Sequence, residues 1–457
     1  MVDGALEGVR RRRAAQDRSP PRTGSCLSTA AVSGTRAARG FRWSDHHFRS
    51  MSHRRISMDW EHLTLMIGDH PSGMPVLARR LRQSLAGEAS SAPTSDYLED
   101  AITPDITPAR LFLTAHAERR FSESQRLLNS ISNKYVQVVG AYSVKTNPDT
   151  RLLTLARSCG FWAECISQLE VSAACRAGFG QESIILNGPA KWWPSRNSIR
   201  PKLVIADSVR ELQSAIKNAD TLSQAIGIRI CPRIFKSRFG VSLNTEKEID
   251  EVAGILSQFP LETGIGLHFH LASSAIGAER WVWLADSFLE LVEELELRAR
   301  RAIGWVDLGG GWHPDDWVQF LSESAPTIVE KLSGKAIPRT LVLEPGKAMA
   351  QPTMAVASRV ITVRDGNEVV VDASIAELPD INSHPHRMMS RKKGTNKWYP
   401  VVDGAIRVYG RLCMETDVLA SGVSFVHRLE PGDEVMFLDA GAYDVSMAFD
   451  FGRGQSS

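Results

Sequence analysis

Long hydrophobic runs are what this 457-residue sequence most clearly lacks. A membrane-spanning helix needs about 20 consecutive apolar residues. Charges interrupt even the most apolar long stretch, residues 278–300, so we predict no membrane anchor. The hydrophobic content of 43% and the charged content of 23% indicate instead a globular protein of two or three domains.

Cysteine is also scarce, with six residues in the whole chain. None of them has the CxxC spacing of a zinc site, and they are too sparse for a disulfide scaffold. We therefore predict no metal centre and a reducing, cytoplasmic compartment, in which most of these thiols are small buried side chains.

Neither sign of charge is in clear excess, because the net charge is only +2. The distribution is uneven, since residues 1–57 carry 12 Arg against four acidic residues, a charge of +8 that leaves −6 for the remaining chain. A mildly acidic body argues against nucleic acid as a partner. Residues 1–57 lack hydrophobic periodicity, so we predict a disordered leader, either a transit-like segment or a stretch upstream of a start at Met51 or Met58.

Short apolar runs recur from residue 135 onward, and stretches with helical periodicity lie between them. Eight runs are strand candidates: VQVVGAYSVK, FWAECIS, SIILNGP, LVIAD, IGIRICP, GIGLHFH, GWVDLGGG and TLVLEPG. Strands that alternate with helices are typical of a parallel sheet. Eight such units predict closure into a (β/α)8 barrel.

The chemistry of such a barrel lies where its strands end. All eight ends carry reactive or polar residues: Lys145, Glu164, Asn187, Asp207, Arg229, His268 with His270, Asp307 before Gly309–Gly311, and Glu344. The two histidines alternate along one strand, which places both side chains on the same side. The three glycines clear side chains from backbone N–H groups, as close approach to a phosphate requires.

Some of the charged residues have structural explanations. Ser167 and Glu170, like Ser208 and Glu211, match the S-x-x-E capping box, so we predict that both glutamates cap helices. Lys145, in AYSVKTNP, has two readings from its local sequence. It is either the first solvated residue after a buried strand or a functional amine at the barrel mouth.

Six ordered motifs carry a resemblance to a known family: AYSVKTNP, GLHFHLASS, VDLGGGW, LEPGK, GRLCMETDVL and DAGAYDVSM. They resemble the ornithine and diaminopimelate decarboxylase family of pyridoxal-phosphate enzymes, which has the alanine-racemase-like fold. The resemblance implies a cofactor-binding barrel at 109–344. It also implies a β-sandwich or β-barrel domain formed by 58–108 and 345–457.

The resemblance further implies pyridoxal 5′-phosphate as the cofactor. Lys145 would form the Schiff base, Glu344 would bind the pyridine nitrogen and Arg229 would steady Glu344. Glu164 matches the acidic position after the second strand, and His270 matches the histidine that stacks on the ring. The residues at the phosphate-holding positions are Ser273, Gly309, Gly310, Gly311, Gly346 and Tyr443. Lys347 replaces the family's arginine and keeps a positive charge for the phosphate, without the two-pronged geometry. We expect partial burial at the barrel mouth to lower the pKa of Lys145.

Two further matches and two departures concern the substrate. Cys413 matches a proton donor that acts across a homodimer with shared active sites, and Asp417 matches an acidic residue near the substrate. Met414 stands where the family often has an amine-binding acid, and Glu415 follows it. The segment SIAELPDINSHPHRMM lacks the family's carboxylate-binding arginine at its usual place. Either Arg387 binds an anionic distal group, or it lies on an exposed loop and Glu415 replaces the acid.

The resemblance therefore predicts a decarboxylase of an amino acid or amino-acid derivative. An amino-acid racemase and a non-catalytic regulatory homologue that binds the cofactor are the alternatives. Glu344 favours decarboxylation, because a protonated pyridine nitrogen accepts the electron pair left after bond cleavage. The presence of both Lys145 and Cys413 argues against a non-catalytic homologue.

Overall fold

The structure, a computed structural model, describes residues 105–189, 199–217, 223–231, 237–270, 278–334, 337–365 and 367–452. The predicted leader 1–57 and most of the segment 58–108 lie outside these ranges. Within the described residues, no helix is long and apolar enough to cross a membrane.

Eight parallel strands form a closed barrel, which confirms the predicted (β/α)8 architecture. A short strand, β1 (Ala109–Phe112), precedes the barrel in sequence. The barrel strands are β2 (Val136–Ser143), β3 (Trp162–Cys165), β4 (Ile184–Leu186), β5 (Leu203–Ala206), β6 (Ala225–Ile230), β7 (Gly264–Phe269), β8 (Ile303–Gly310) and β9 (Arg339–Glu344). β9 pairs with β2 and closes the ring. Most of their residues are buried, as expected for strands covered on both faces.

Helices surround the barrel and connect its strands. They are α1 (Thr114–Ile131), α2 (Thr150–Ser158), α3 (Gln168–Arg176), α4 (Val209–Ile216), α5 (Glu246–Leu256), α6 (Ala278–Ala299), α7 (Pro314–Gln319), α8 (Ala325–Ser333) and α9 (Lys347–Ala350). Ser167 accepts a hydrogen bond from the Glu170 amide, and Ser208 accepts one from the Glu211 amide. Both glutamates also accept from the backbone before their helices, so the predicted capping roles are confirmed.

A mixed sheet follows the barrel in sequence. Its later strands are β10 (Met354–Arg364), β11 (Glu368–Val371), β12 (Met388–Arg391), β13 (Tyr399–Pro400), β14 (Val402–Tyr409), β15 (Val418–Ser424) and β16 (Glu434–Phe437). Their order is β13-β12-β16-β10-β11-β14-β15, and β1 pairs with β10. β1 therefore belongs to this sheet, although its residues lie just inside the range predicted for the barrel. The sheet fits the predicted second, β-rich domain.

Aromatic packing fixes the outer side of β2, the strand that leads to Lys145. The Phe121 ring of α1 lies 5.2 Å from the Phe161 ring and 5.8 Å from the Tyr142 ring, measured between centroids. All three side chains are almost fully buried. Each buried ring stabilises the fold by about 2–3 kcal/mol. This packing holds the end of β2 in a fixed position relative to its neighbours.

Candidate active site

Lys145 and Glu164 meet at the mouth of the barrel. Lys145 lies in the 3₁₀ turn Val144–Thr146 directly after β2, and its Nζ is 2.7 Å from Glu164 Oε2. The parallel register of β2 and β3 sets Ser143 beside Glu164, and the Ser143 hydroxyl donates to the same carboxylate oxygen. The strand ends therefore bring the amine and the carboxylate together, as the barrel prediction requires.

The expected lowering of the Lys145 pKa is wrong. Burial does lower the pKa of this amine, but the charge of Glu164, the charge of Glu344 and the hydrogen bond to Glu164 outweigh burial and raise it above its usual value. The prediction took account of burial, but not of the two carboxylates that raise the pKa of Lys145. The cofactor-free enzyme therefore holds Lys145 as an ammonium.

Glu344, at the end of β9, lies between two histidines. His268 Nε2 is 3.5 Å from one carboxylate oxygen, and His270 Nδ1 is 3.5 Å from the other. The two imidazole rings are stacked with an interplanar angle of 25°, which confirms that they face the same side. At these distances neither glutamate oxygen has a hydrogen-bond partner among the described residues, although Glu344 is only 1% exposed.

Burial and charge assign different protonation states to the acids and the inner histidine. Burial lowers the pKa of His268 to about 4, so this ring is neutral at neutral pH. Burial opposes ionisation of Glu344, but its contacts with His268 and His270 and the Lys145 ammonium hold its pKa well below the usual range. Burial and the charge of Glu344 raise the pKa of the adjacent Asp307. The pKa values of these two neighbouring acids are therefore shifted in opposite directions, which favours the ionised form of Glu344 and the protonated form of Asp307.

The glycines after Asp307 allow the ends of β8 and β9 to approach. A Cβ atom on Gly310 would lie 2.1 Å from the Glu344 carbonyl oxygen, which no side chain permits. The Gly310 amide donates to His270 Nδ1 over 3.1 Å, and the Gly309 amide donates to Asp307 Oδ1 over 2.8 Å. Close packing thus explains part of the glycine motif. The phosphate role assigned to these glycines, with Gly311, stays a prediction.

Three more of the predicted cofactor residues cluster around the Lys145 turn. A Cβ on Gly346 would lie 2.2 Å from Thr146 Oγ1, so this glycine packs directly on the turn. Lys347 follows it and is 9% exposed; burial lowers the pKa of its amine against the attraction of Asp380 and Asp439. The Tyr443 amide donates to the Thr146 carbonyl over 2.8 Å.

Of the two remaining predicted cofactor residues, the structure describes Arg229. Arg229 pairs in register with His268 on the neighbouring strand, and its guanidinium carbon lies 4.9 Å from the Phe239 ring centroid. The described contacts of Glu344 come from the histidines, so the predicted support by Arg229 stays a prediction. Ser273 lies outside the described residues.

Cys413 lies on the loop between β14 and β15, and its side chain is exposed. Asp417 closes this loop, because its carboxylate accepts from the amides of Leu412 and Ile375 over 2.7 and 2.8 Å. Asp417 is 2% exposed, so the structure shows it as a support of the loop. Its predicted contact with substrate stays a prediction, as does that of the exposed Glu415.

Arg387 does form the predicted two-pronged contact with a carboxylate, but the partner is in its own chain. Its Nε and Nη2 donate to the two oxygens of Asp439 over 2.6 and 2.7 Å. Asp439 is largely buried and lies 52 residues further along the chain. The fork that would hold a substrate carboxylate is thus engaged by Asp439, and the predicted contact of Arg387 with substrate stays a prediction.

Sequence reasoning named His268, Asn187 and Asp307 as strand ends but gave them no role in a site. His268 Nε2 lies 3.3 Å from Asn187 Nδ2 as well as beside Glu344. All three residues are buried, so they line the inner side of the mouth. Their positions at strand ends were the only available signal, since their contacts depend on the barrel register.

Fold and site together define a class of protein. At one mouth, a (β/α)8 barrel brings together the amine of Lys145, the Glu164 carboxylate that pairs with it, and the buried carboxylate of Glu344, whose oxygens have no hydrogen-bond partner among the described residues. Residues 118–351, just over half of the chain, match the family described as pyridoxal-dependent decarboxylase, pyridoxal binding domain. The chain therefore belongs to the pyridoxal-dependent decarboxylase family.

Individual relatives agree with this family. The diaminopimelate decarboxylase of Bacteroides thetaiotaomicron is 26% identical over 349 residues, which cover 70% of this chain and 87% of the relative. The ornithine decarboxylase of Neurospora crassa is 23% identical over 363 residues, with coverage of 68% and 72%. The solved diaminopimelate decarboxylase from M. jannaschii, in complex with L-lysine, has a TM-score of 0.63 at 19% identity and covers 76% of this chain and 84% of its own. This last likeness supports the fold alone.

The chain is accordingly a pyridoxal-phosphate-dependent amino-acid decarboxylase, a carboxy-lyase. The family and these relatives favour a decarboxylase over the racemase and the non-catalytic homologue. The mouth fits the cofactor on its own geometry, because the two unpartnered oxygens of Glu344 can accept a hydrogen bond from a ring nitrogen. Lys145 would offer the amine that the aldehyde requires, and Lys347 would offer a positive charge for the phosphate.

Proposed function

We propose that the protein removes the α-carboxylate of an amino acid or amino-acid derivative at the mouth formed by Lys145, Glu164, His270 and Glu344. The observation that carries the proposal is Glu344, a buried carboxylate whose oxygens have no hydrogen-bond partner among the described residues. Leaving a buried charge without a partner costs free energy in the folded state. Such an arrangement is expected where a ligand supplies the missing donor.

Lys145 is proposed as the anchor of the cofactor. Because its pKa is raised, the amine has to lose a proton before it can bond to an aldehyde. Glu164 Oε2, at 2.7 Å, is placed to accept that proton. Ser143 donates to the same oxygen and holds the carboxylate in this orientation.

Glu344 and His270 are proposed to hold the cofactor ring. When bound, pyridoxal phosphate accepts the electron pair that remains after carbon dioxide departs. The ionised Glu344 would keep a proton on the ring nitrogen, which favours that acceptance. His270, 26% exposed and held by the Gly310 amide, would cover one face of the ring. Gly346, Lys347 and Tyr443 would bind the phosphate.

Cys413 is proposed to act in the active site of a second copy of the chain. Its exposure and the fixed shape of its loop support this assignment. Arg411 donates to Glu377 over 2.6 Å, and Asp417 binds two backbone amides of the same region. A protonating thiol has to remain reduced, which agrees with the cytoplasm as its compartment. The five cysteines of the described residues are all free thiols.

Subunit mixing tests the shared site. Cys413→Ala and Lys145→Ala are each expected to be inactive as homodimers. In a mixed dimer, one site combines the intact lysine of one subunit with the intact cysteine of the other. Random exchange should therefore restore about a quarter of the wild-type activity. Absence of recovery, with exchange verified by differently tagged subunits, would contradict the shared site.

The distal end of the substrate is proposed to carry no carboxylate. The first arginine after β11 is Arg387, and its fork is bound by Asp439. Met414, 39% exposed, replaces the acid that would bind a distal ammonium and offers no charge. Removing a charge partner from a desolvated ion costs about 1–3 kcal/mol, so free diamino acids and dicarboxylic substrates should both be weak.

Carbon dioxide release from a matched panel tests the proposed function and its substrate class. The panel contains diaminopimelate, ornithine, lysine and the distal N-acetyl derivatives of the last two. The neutral derivatives should have the highest kcat/KM. A clear preference for diaminopimelate would overturn the substrate class, and no carbon dioxide from any member of a broader amino-acid panel would overturn the proposed function.

A further inference from the structure

His386 and Asp444 form a buried pair outside the mouth. His386 Nε2 lies 2.7 Å from Asp444 Oδ2, and the side chains are 3% and 0% exposed. The other ring nitrogen, Nδ1, lies 2.8 Å from the carbonyl oxygen of His384. A carbonyl and a carboxylate only accept hydrogen bonds, so both ring nitrogens must donate. The geometry therefore requires an imidazolium at His386.

The electrostatics of His386 agree with this state. Burial lowers the pKa of the ring, but the hydrogen bond and the charge of Asp444 outweigh burial and raise the pKa above the usual value for histidine. Loss of the proton would leave one buried hydrogen bond unmade and the Asp444 carboxylate without its cation. The pair is therefore stable only while His386 is protonated.

Asp444 connects this pair to the cofactor residues. It follows Tyr443, whose amide donates to the Thr146 carbonyl, one residue after Lys145. Tyr443 has a φ of +67°, a conformation that non-glycine residues rarely adopt, so its backbone has to be held from outside. The carboxylate of Asp444 makes two hydrogen bonds that hold this backbone in place. Its Oδ1 accepts from the Asp380 amide over 3.0 Å, and its Oδ2 accepts from His386 Nε2.

We propose that His386 and Asp444 are positioning residues, which hold Tyr443 against the Lys145 turn and make cofactor affinity fall when His386 loses its proton. The proposal rests on the proposed function, because it takes the Lys145 turn and Tyr443 to hold the cofactor. It adds a pH-dependent support that acts through the backbone.

Other charges around the pair are already engaged. They come from the loop of Asp444, from the segment of His386 and from β1: Asp439, Arg387, Asp380, His384 and Arg110. Asp439 binds Arg387, and His384 Nδ1 lies 2.9 Å from Asp380 Oδ2. Arg110 donates to the backbone carbonyl of Asp444 over 3.2 Å. His386 is thus the cation that faces the carboxylate of Asp444 itself.

The test compares His386→Gln and Asp444→Asn with His384→Gln as the matched control. His384 is a histidine two residues earlier whose side chain is 38% exposed. Apoprotein of each variant is titrated with pyridoxal phosphate from about pH 6 to about pH 9, and the dissociation constant is read from absorbance. Glutamine keeps one donor towards Asp444 but carries no proton that titrates. The intrinsic titration of Lys145 is common to all variants, so it cancels in each ratio to wild type.

At low pH, His386→Gln and Asp444→Asn should bind the cofactor about tenfold more weakly than wild type, because a charge-assisted hydrogen bond is lost. The ratio should approach one at high pH, where wild type has lost the same interaction. His384→Gln should follow wild type throughout. A ratio that stays constant with pH, or a His386→Gln variant that binds like wild type, would overturn the proposal.

Stability of the apoprotein gives a readout that needs no cofactor. His386 has a raised folded-state pKa, so its stabilisation is fully present below about pH 6.5 and is lost as the pH rises through the raised value. The difference in thermal midpoint between wild type and His386→Gln should shrink over that range. A difference independent of pH would contradict the ion pair. If no variant, wild type included, binds the cofactor, the proposed function fails while this measurement still decides the pair.

Discussion

The two ends of β9 carry buried charged side chains that differ in their hydrogen bonding. Arg339, at the start of the strand, donates to the Ile303 carbonyl over 2.5 Å and to Glu296 over 3.0 Å. Glu344, at the end, lies between two histidines at 3.5 Å and has no hydrogen-bond partner among the described residues. Both side chains are at least 95% buried, so burial alone does not separate a structural charge from a functional one.

The two side chains differ in how many of their hydrogen bonds are made. The hydrogen bonds of Arg339 contribute to holding the barrel closed, whereas the oxygens of Glu344 keep their hydrogen-bonding capacity for a ligand. At the mouth, Glu164, Asp307 and Glu344 each have at least one carboxylate oxygen without a hydrogen-bond partner among the described residues, whereas Arg339 leaves one nitrogen, Nε, without a partner but makes two other hydrogen bonds. The contrast predicts that substitutions at the two ends affect different properties.

Glu344→Gln is expected to have the largest effect. The neutral amide cannot hold a proton on the cofactor ring nitrogen, so kcat/KM should fall by about a thousandfold. The thermal midpoint of the apoprotein should fall less than in Arg339→Leu, because no hydrogen bond of Glu344 to the described residues is lost. Carbon dioxide release and thermal unfolding measure the two effects on one preparation.

The exposed Glu290→Gln is the matched control and should change neither quantity. Loss of stability in Glu344→Gln, without loss of activity per folded molecule, would place Glu344 with the structural charges and remove the distinction between the two ends.

Arg339→Leu is expected to show the opposite behaviour. It removes the donor to Glu296 Oε2 and to the Ile303 carbonyl, so the free energy of unfolding should fall by about 3 kcal/mol. Activity per folded molecule should stay near wild type, since Arg339 lies at the other end of the strand. Urea unfolding and carbon dioxide release check this. Arg364→Leu, an exposed arginine, should cost less than about 0.5 kcal/mol.

Asp307→Asn is expected to have the smallest effect and sharpens the contrast within the mouth. The raised pKa keeps Asp307 protonated, so the neutral asparagine is close to isosteric and can still accept from the Gly309 amide. The loss in kcat/KM should stay below about tenfold. A loss as large as that of Glu344→Gln would show that Asp307 is ionised.

Much of the barrel and its site follows from the sequence, because local pattern controls them. Runs rich in β-branched residues identify all eight barrel strands, and parallel topology places their ends at one mouth. Lys145, Glu164, His270 and Glu344 are brought together on this basis alone. Both capping boxes are also local features and are confirmed.

The features that sequence reasoning missed depend on pairing between distant residues. Arg387 and Asp439 are 52 residues apart, so a free guanidinium could not be distinguished from a paired one. The raised pKa of Lys145 requires the register of β2 and β3, which sets Glu164 beside it. β1 pairs with β10 more than 240 residues later, a contact that no short window contains.

The central claim is that Lys145 anchors the cofactor, and borohydride reduction of the holoenzyme tests it most directly. Reduction fixes the cofactor to the amine that holds it, and mass spectrometry of proteolytic fragments locates the modified residue. Lys347 is the alternative attachment site, since it is buried in the same region and has the lower pKa of the two amines. We predict that the reduced pyridoxyl phosphate is found on Lys145 and is absent from Lys145→Ala. A label on Lys347, or one that survives in Lys145→Ala, would contradict the account.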